Sequence, residues 1–216
     1  MKVLVTGGAG FIGSHLCERL LSLGHEVVCV DNFLTGTRVN VAHLISNEKF
    51  SLQDGDVTTL DVIVCDAIMH LACPAAPVHY QRHPIATLRA SFEGTHACLE
   101  LARSRSIRMV YTSSSEVYGD PLVHPQREDY WGNVNPNGLR SCYDEGKRVG
   151  EALCMAYERE HNADVRVARI FNTYGSRMQA FDGRAVPNFI TQALSNNPIT
   201  IYGDGNQVRD LLWIDD

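Results

Sequence analysis

The stretch Val3-Leu4-Val5-Thr6-Gly7-Gly8-Ala9-Gly10-Phe11-Ile12-Gly13 decides the fold of this chain. A short apolar run enters a glycine turn, and an apolar pattern with helical spacing follows it. Gly7, Gly10 and Gly13 therefore lie where a predicted strand passes into a predicted helix. Glycines there permit a tight turn and a close backbone approach, so that amides at the helix N-terminus face a pyrophosphate. The stretch predicts a dinucleotide-binding βαβ unit; an ordinary tight turn is the alternative.

The second predicted strand, Glu26 to Val30, ends at Asp31, 18 residues after Gly13. A carboxylate at this point accepts hydrogen bonds from a ribose 2′-hydroxyl and repels a 2′-phosphate. The sequence therefore favours NAD as the cofactor, while Arg38 a little downstream leaves NADP open. A turn cap is the alternative role for Asp31.

Apolar strands alternate with helical patterns along the rest of the chain. Strands are predicted at 50–53, 67–71, 107–112, 165–170, 199–202 and within 208–214, and helices at 37–46, 84–104, 141–159 and 187–194. Continuous apolar strands that alternate with helices predict an α/β fold, a Rossmann-type doubly wound parallel sheet. Residues 1–171 are expected to form this NAD-binding domain and to carry the catalytic residues. Residues 172–216 are expected to begin a small, truncated substrate-binding lobe.

The composition is that of an ordinary globular protein, with 44% hydrophobic and 20% charged residues and a formal net charge of -6. Basic residues are scattered, so no nucleic-acid surface is expected. No apolar run approaches the roughly 18 residues that span a membrane, so no membrane partner is expected. Seven widely spaced cysteines and the lack of a signal-peptide pattern favour a reducing, cytoplasmic location. The histidines show no metal-ligand spacing, so no metal is expected.

Tyr143 and Lys147 are four residues apart on a predicted helix, so that both side chains project from one face. A lysine ammonium near a tyrosine favours the phenolate and lowers a phenol pKa that starts near about 10. Tyr143 is therefore a candidate base, and Lys147 is also suited to bind the nicotinamide ribose. Chance placement of the pair is the alternative.

The run Thr112 to Gly119 follows a predicted strand at its C-terminal end, where ligands bind in open α/β sheets. Its three serines and Glu116 offer hydroxyls and a carboxylate that suit a sugar. A hydrogen-bonded turn is the alternative.

These three elements together resemble the extended short-chain dehydrogenase/reductase family of nucleotide-sugar enzymes, and within it the UDP-glucuronate decarboxylases. The similarity extends over essentially all 216 residues. The stretches that carry it are Val30–Gly36, Leu71–Ala75, Ser114–Pro121, Glu128–Gly132, Cys142–Arg148 and Ala168–Thr173. The run Tyr-Asp-Glu-Gly-Lys-Arg from Tyr143 is the most discriminating.

The resemblance implies decarboxylation of UDP-glucuronate to UDP-xylose in a redox-neutral sequence. NAD+ takes hydride from C4 of the sugar while Tyr143 removes the O4 proton. The resulting ketone lies β to the carboxylate and permits loss of CO2, after which the hydride returns. On this resemblance Ser114 hydrogen-bonds O4, Lys147 tunes Tyr143, and Glu116 positions the sugar or moves a proton. A solvated turn carboxylate is the alternative for Glu116.

The resemblance also implies two sets of binding residues and a homodimer through the helices near 84–104 and 141–159. The implied cofactor set is Gly7, Gly10, Phe11, Ile12, Gly13, Asp31, Asn32, Phe33, Thr35, Gly36, Asp56, Val57, Leu71, Tyr143 and Lys147. The implied substrate set is Arg89, Ser114, Asn172 and Arg209, with Asn172 and Arg209 on the UDP diphosphate. Ordinary surface roles are the alternative for Arg89, Asn172 and Arg209.

Three other functions share these features. A nucleotide-sugar 4,6-dehydratase would place an aspartate where Ser115 stands, and a 4-epimerase would place a small residue and threonine at Ser115 and Glu116. A non-catalytic NAD-binding protein on the same fold is the third. Ser91 replaces an asparagine of many relatives, and Thr58 to Val64 lacks the Pro-Leu-aromatic pattern of the decarboxylases. The family continues past Asp216, so an incomplete substrate pocket is expected if the chain is the whole protein.

Overall fold

The computed structural model describes residues 1–216 and contains a six-stranded sheet. Its strands are β1 (Lys2–Thr6), β2 (Glu26–Asp31), β3 (Phe50–Asp54), β4 (Ala67–His70), β5 (Arg108–Ser114) and β6 (Val165–Ile170). They lie in the order β3-β2-β1-β4-β5-β6, and all neighbours are parallel. This is the Rossmann order, in which the direction of winding reverses between β1 and β4. The predicted doubly wound α/β fold is confirmed.

Six α-helices connect and flank the strands. They are α1 (Phe11–Ser22), α2 (Pro77–Arg82), α3 (Pro84–Arg89), α4 (Thr95–Arg105), α5 (Ser141–His161) and α6 (Ala185–Leu194). Short 3₁₀ helices cover Arg38–Leu44, Val57–Thr59 and Ser115–Tyr118. The helix predicted after the glycine turn is α1, and the helices predicted at 141–159 and 187–194 are α5 and α6, right to within a few residues at each end.

One helical prediction is wrong in kind, and another is right in extent but contains a change of helix type. The helix expected at 37–46 is a 3₁₀ helix, Arg38–Leu44, whose N-terminus is capped by the Thr37 hydroxyl. The helix expected over 84–104 contains a π-helical turn at Ala90–Gly94 between α3 and α4. At this turn Gly94 lies against Val57, where an added Cβ would lie 2.5 Å from a valine methyl. Such tertiary contacts lie beyond what helical periodicity detects.

The tail also differs from the prediction. Residues 199–202 form no strand, and a strand that was not predicted, β7 (Asn172–Tyr174), follows Phe171. It pairs in parallel with β8 (Leu211–Trp213), within the predicted final run, to form a separate two-stranded sheet. A strand needs a partner for its backbone groups, and 199–202 has none. The apolar pattern alone did not reveal which run would be paired.

The core lies on both faces of the large sheet because successive side chains of a strand point to opposite faces. Leu4, Ile68 and Met109 pack under α4 and α5 on one face. Val3 and Val5 pack under α1 and the Arg38–Leu44 helix on the other. The inner strands β1, β2 and β4 are therefore apolar over most of their length, as expected for a parallel sheet that is covered on both sides.

The contact between α5 and β5 is unusually close. Gly150 of α5 lies on the ring of Tyr111, and a Cβ there would lie 2.1 Å from the tyrosine oxygen. The Tyr111 hydroxyl also donates to the carbonyl of Lys147, at 3.5 Å. Only glycine therefore permits this approach, which brings the first turns of α5 to the end of β5.

We expect Gly150→Ala to lower the free energy of unfolding by about 1–3 kcal/mol, because the added methyl must push α5 away from Tyr111. This loss should appear although alanine favours helix by about 1 kcal/mol over glycine. Urea unfolding followed by circular dichroism measures it. Glu158→Ala, an exposed site on the same helix, is the control and should change stability by less than about 0.5 kcal/mol. Equal stability of the two variants would contradict the packing role of Gly150.

Candidate active site

A cleft of about 450 Å³ opens at the carboxyl ends of the strands, where β1 and β4 meet. Its walls bring together the glycine turn, Asp31, the end of β5 and the first turns of α5. This edge of a doubly wound sheet is the usual place for a dinucleotide. No cluster of three or more histidine, cysteine, aspartate or glutamate side chains is arranged to hold a metal ion.

The glycine turn has the shape that a pyrophosphate requires. Gly7 has a φ of +72°, and a Cβ on it would lie 2.7 Å from the backbone nitrogen of Ala72. A Cβ on Gly13 would lie 2.2 Å from the carbonyl oxygen of Gly7. The N-terminus of α1 opens directly from this turn, so its free amides and dipole face the cleft. The residues present therefore fit a dinucleotide at this site.

Asp31 connects the end of β2 to the glycine turn. One carboxylate oxygen accepts the amide of Ala9 at 2.9 Å, and the other accepts the amide of Phe33 at 2.8 Å. Burial raises the pKa of Asp31, while the two amides act in the opposite direction. Arg38 is paired with Asp54 at 2.9 Å and does not line the cleft. The carboxylate is therefore the charged group that β2 presents at its end of the cleft.

Most of the predicted cofactor residues line the cleft. These are Gly7, Gly10, Phe11, Ile12, Gly13, Asp31, Asn32, Thr35, Asp56, Val57, Leu71, Tyr143 and Lys147. Two lie outside it. Phe33 packs against the core on the α1 side, with Arg38 over its ring at 4.2 Å. Gly36 lies close behind Asp31, where a Cβ would lie 2.9 Å from the carboxylate, so its role is to leave room for that side chain.

Tyr143 and Lys147 lie together in the first turns of α5, and both are buried. The ammonium of Lys147 donates to the carbonyl of Thr112 at 2.8 Å and lies 5.8 Å from the centre of the Tyr143 ring. Burial lowers the pKa of Lys147. Both side chains line the cleft beside the end of β5.

The pKa of Tyr143 is raised in the structure, so the lowering by Lys147 that the sequence predicted is wrong. Burial is the largest cause of the rise and Cys73 adds to it, while the Ser114 hydroxyl and the Arg184 guanidinium oppose the rise only in part. The structure adds Ser114 and Arg184, whose proximity to Tyr143 only the tertiary fold reveals.

Ser114 ends β5 and caps the 3₁₀ helix Ser115–Tyr118 by accepting the amide of Glu116 at 3.3 Å. Its hydroxyl also lines the cleft beside Tyr143. Ser114 therefore forms the hydrogen-bonded turn and also lines the cleft. Glu116 lines the cleft as well and is ion-paired with Arg140, so it is not a freely solvated carboxylate.

The predicted substrate residues are only partly brought together. Arg89 lines the cleft while paired with Glu93 at 2.8 Å, and Asn172 lines it while donating to the carbonyl of Asp210 at 3.2 Å. Arg209 does not line the cleft and is exposed beside Val208.

Sequence reasoning missed two side chains at the site. Arg184 lines the cleft and is held by the buried carboxylate of Asp182 at 2.9 Å from its Nε atom. Tyr80 of α2 stacks in parallel on Tyr143, with ring centres 5.1 Å apart. The basic residue just before the apolar start of α6 was the only available signal for Arg184. Tyr80 gave none, because the six-residue helix α2 was not predicted.

Sequence and structure comparisons identify the family to which this fold belongs. A sequence model of the NAD dependent epimerase/dehydratase family matches residues 3–216. The protein belongs to that family. It is 52% identical to UDP-glucuronic acid decarboxylase 1 of Arabidopsis thaliana, in an alignment that covers the whole chain and 50% of the relative. It is 54% identical to UDP-glucuronic acid decarboxylase 1 of Danio rerio, in an alignment that covers the whole chain and 51% of that relative. The chain thus spans about half the length of these relatives, and the resemblance seen in the sequence is confirmed.

Solved structures of the family show the same fold. The UDP-glucuronic acid 4-epimerase of Bacillus cereus, in complex with UDP-glucuronic acid and NAD, matches with a TM-score of 0.87 at 31% identity, over 100% of this chain and 70% of its own. A dTDP-glucose 4,6-dehydratase of Streptomyces venezuelae, with NAD bound, matches with a TM-score of 0.88 at 29% identity, over 100% and 69%. No helix of this family member is both long and apolar enough to cross a membrane.

We expect Gly13→Ala to weaken NAD binding by about tenfold or more, because a Cβ at this position collides with the backbone of the turn itself. Isothermal calorimetry with NAD measures the effect. Gly24→Ala is the control, because Gly24 follows the end of α1, does not line the cleft and has nothing within 4 Å of an added Cβ, although its own φ is +84°. It should cost about 1 kcal/mol of stability and leave NAD affinity unchanged. Equal NAD affinities of the two variants would argue against binding of NAD by the dinucleotide cradle, which is the glycine turn from Gly7 to Gly13.

Asp144, next to Tyr143, is expected to make the free energy of unfolding depend on pH. Burial raises its pKa from 3.8 to about 6, although Arg140 acts against this. The folded pKa exceeds the unfolded one, so stability from this group is greatest in acid and is lost as the pH rises through about 6. Between pH 5 and pH 7.5 the loss should be about 1 kcal/mol.

Asp144→Asn should remove this contribution to the pH dependence of the free energy of urea unfolding. The exposed Asp61→Asn variant is the control and should keep the dependence of the natural protein. An Asp144→Asn profile parallel to that of the natural protein would count against the raised pKa.

Proposed function

We propose that the protein decarboxylates UDP-glucuronate to UDP-xylose and CO2 through a 4-keto sugar. The observation that carries the proposal is the convergence of Tyr143, Ser114 and Glu116 beside the dinucleotide cradle. The identity of 50–54% to curated UDP-glucuronic acid decarboxylases supports this substrate. NAD, held by the glycine turn and Asp31, supplies reversible hydride acceptance when it is bound.

Oxidation at C4 requires removal of the O4 proton, and Tyr143 is placed to accept it. The Ser114 hydroxyl lies beside the phenol and is suited to donate a hydrogen bond to O4. Lys147 is anchored on the Thr112 carbonyl and adds positive charge on the same side. These three side chains give O4 a base and a donor within one small volume.

The ketone at C4 makes the next step possible because it lies β to the carboxylate on C5. The bond between C5 and the carboxylate breaks, CO2 leaves, and the electron pair forms an enolate on O4. Ser114 and the protonated Tyr143 are suited to stabilise that oxygen. C5 then takes up a proton, and Glu116 is the cleft carboxylate that would orient the sugar or move this proton. Tyr143 finally returns its proton to O4 as the ketone is reduced.

Epimerisation at C4 is the second candidate. The match to the Bacillus cereus UDP-glucuronic acid 4-epimerase, at a TM-score of 0.87, favours it. Such a reaction uses the same base and the same ketone but retains the carboxylate. Ser115 and Glu116, where an epimerase would have a small residue and threonine, weigh against it.

We also propose a cytoplasmic homodimer. All seven cysteines are free, which suits a reducing compartment. Ile85, Leu88 and Phe92 are exposed on the segment between residues 84 and 104 and offer apolar surface to a second copy.

Residues 172–216, which begin with β7 and line the cleft through Asn172, are proposed as part of a nucleotide-sugar lobe.

The decisive experiment incubates the purified protein with UDP-glucuronate and NAD+ and follows CO2 release with identification of the nucleotide sugar. UDP-xylose with CO2 supports the proposal. UDP-galacturonate without CO2 would identify an epimerase, and CO2 with lasting absorbance at 340 nm would identify an enzyme that stops at the keto pentose. NAD binding without turnover of any nucleotide sugar would favour a non-catalytic role.

We expect Tyr143→Phe to lower turnover by about 10²–10⁴-fold, because the variant keeps the ring and loses the proton acceptor. NAD affinity should change little, which calorimetry tests in the same samples. Tyr202→Phe, at an exposed tyrosine in the tail, is the control and should keep full turnover. Full activity of Tyr143→Phe would refute the proposed mechanism.

A further inference from the structure

Arg140 occupies a position that connects two parts of the site. It immediately precedes α5, and its carbonyl accepts the amides of Tyr143 and Asp144 at 2.9 and 3.0 Å. Its backbone therefore begins the helix that carries the proposed base. Its side chain leaves the helix and reaches the 3₁₀ helix after β5.

The guanidinium of Arg140 is shared by two carboxylates. Its Nη2 atom donates to Glu116, and its Nε atom lies 3.6 Å from a carboxylate oxygen of Asp144. Glu116 lines the cleft two residues after Ser114, whereas Asp144, the residue after Tyr143, is buried and does not line the cleft. One cation thus joins a cleft carboxylate to the buried carboxylate next in sequence to the proposed base.

Asp144 depends on this cation. Its Oδ1 atom is buried and has no hydrogen-bond partner, and the buried hydroxyl of Tyr80 has none either. Arg140 is the basic side chain that forms an ion pair with Asp144. A buried carboxylate with an unsatisfied oxygen is costly unless a nearby charge compensates it. Asp144 and Arg140 therefore restrain each other, and the Tyr80 ring that stacks on Tyr143 packs in the same cluster.

We infer that Arg140 is a positioning residue, anchored by Asp144, that holds the Glu116 carboxylate in the cleft beside Ser114 and Tyr143. The role of Glu116 toward a sugar rests on the proposed function, whereas the link from Asp144 through Arg140 to Glu116 rests on the geometry alone. Arg140 touches neither the cradle nor the proposed base with its side chain. On this inference its side chain acts on turnover through Glu116, and a double-mutant cycle separates this route from one through Asp144 and Tyr80.

The link from Asp144 through Arg140 to Glu116 makes the position of Glu116 depend on pH. The groups that face Asp144 are Arg140, the Glu145 carboxylate, the Tyr80 phenol and the Cys142 thiol. Protonation of Asp144 below about pH 6 releases one of the two anchors of Arg140. Glu116 then keeps the guanidinium alone, and its position should change at the pH at which Asp144 titrates.

The first test is a double-mutant cycle on UDP-glucuronate turnover. We expect Arg140→Gln to lower kcat at least tenfold with a smaller change in KM, Glu116→Gln to act similarly, and the double variant to be no worse than Glu116→Gln alone. Arg140→Lys should recover part of kcat because a lysine still pairs with one carboxylate. Additive losses in the double variant would overturn the inference.

Arg108→Gln is the matched control. Arg108 is ion-paired with Asp164 at 2.8 Å with comparable exposure, but it lies at the opposite end of β5 from the cleft. This variant should keep full kcat. Equal effects of Arg140→Gln and Arg108→Gln would also overturn the inference.

The second test needs no activity, so it separates this inference from the proposed function. In ¹³C-labelled protein, the carboxyl carbons of Asp144 and Glu116 are assigned by their loss in Asp144→Asn and Glu116→Gln and followed by NMR against pH. We expect Asp144 to titrate near pH 6, at higher pH in Arg140→Gln, and the Glu116 signal to show an inflection at the same midpoint that Asp144→Asn abolishes. A Glu116 signal without that inflection would overturn the link, whether or not the protein decarboxylates UDP-glucuronate.

Discussion

The close contact between α5 and β5 is the constraint on which the site depends. A glycine at position 150 lets the helix rest on the ring of Tyr111, and the Lys147 ammonium then reaches the Thr112 carbonyl at 2.8 Å. These contacts align the first turns of α5 with the carboxyl end of β5. Tyr143 is thereby brought to the Ser114 hydroxyl, and both line the same cleft as the glycine turn. A helix displaced outward by one methyl group would separate the proposed base from the Ser114 hydroxyl, which opposes part of the rise in the Tyr143 pKa caused by burial.

Burial of charge shapes the chemistry of this edge of the sheet. Lys147, Asp144 and Asp31 are all largely removed from water. Burial favours the neutral form of each group, so it lowers the pKa of Lys147 and raises the pKa of Asp144 and of Asp31. Backbone amides partly offset this for Asp31, whereas arginines do so for the other carboxylates. Glu151, for example, is bound by Arg169 at 2.7 Å and by the Ser113 hydroxyl, and its pKa is lowered overall despite burial. The site is therefore a network of paired charges. Removal of one partner would leave the other as a buried charge without compensation, which is strongly destabilising.

The two parts of the chain differ in how much they are packed. The six-stranded sheet is covered on both faces, while the region after β7 leaves many large apolar side chains exposed. Examples are Phe181, Leu194, Tyr202 and Val208. Arg209, assigned to the substrate by resemblance, lies in this exposed region and does not line the cleft. The cradle and the proposed catalytic side chains, in contrast, belong wholly to the packed domain.

The sequence by itself determined the features that depend on neighbours along the chain. The G-x-x-G-x-x-G turn between β1 and α1 follows from local conformational needs, and the strands follow from apolar runs. Tyr143 and Lys147 share a helix face because they are four residues apart. The family was also evident from the same motifs.

Only the tertiary structure decided the features that depend on burial and on contacts between distant segments. Arg140 meets Glu116 across 24 residues, Tyr80 stacks on Tyr143 from a helix that no pattern predicted, and Arg184 reaches the cleft from beyond β7. The direction of each pKa shift belongs to this group as well. Periodicity and spacing describe a residue relative to its own helix or strand, whereas desolvation and ion pairing depend on how those elements pack together.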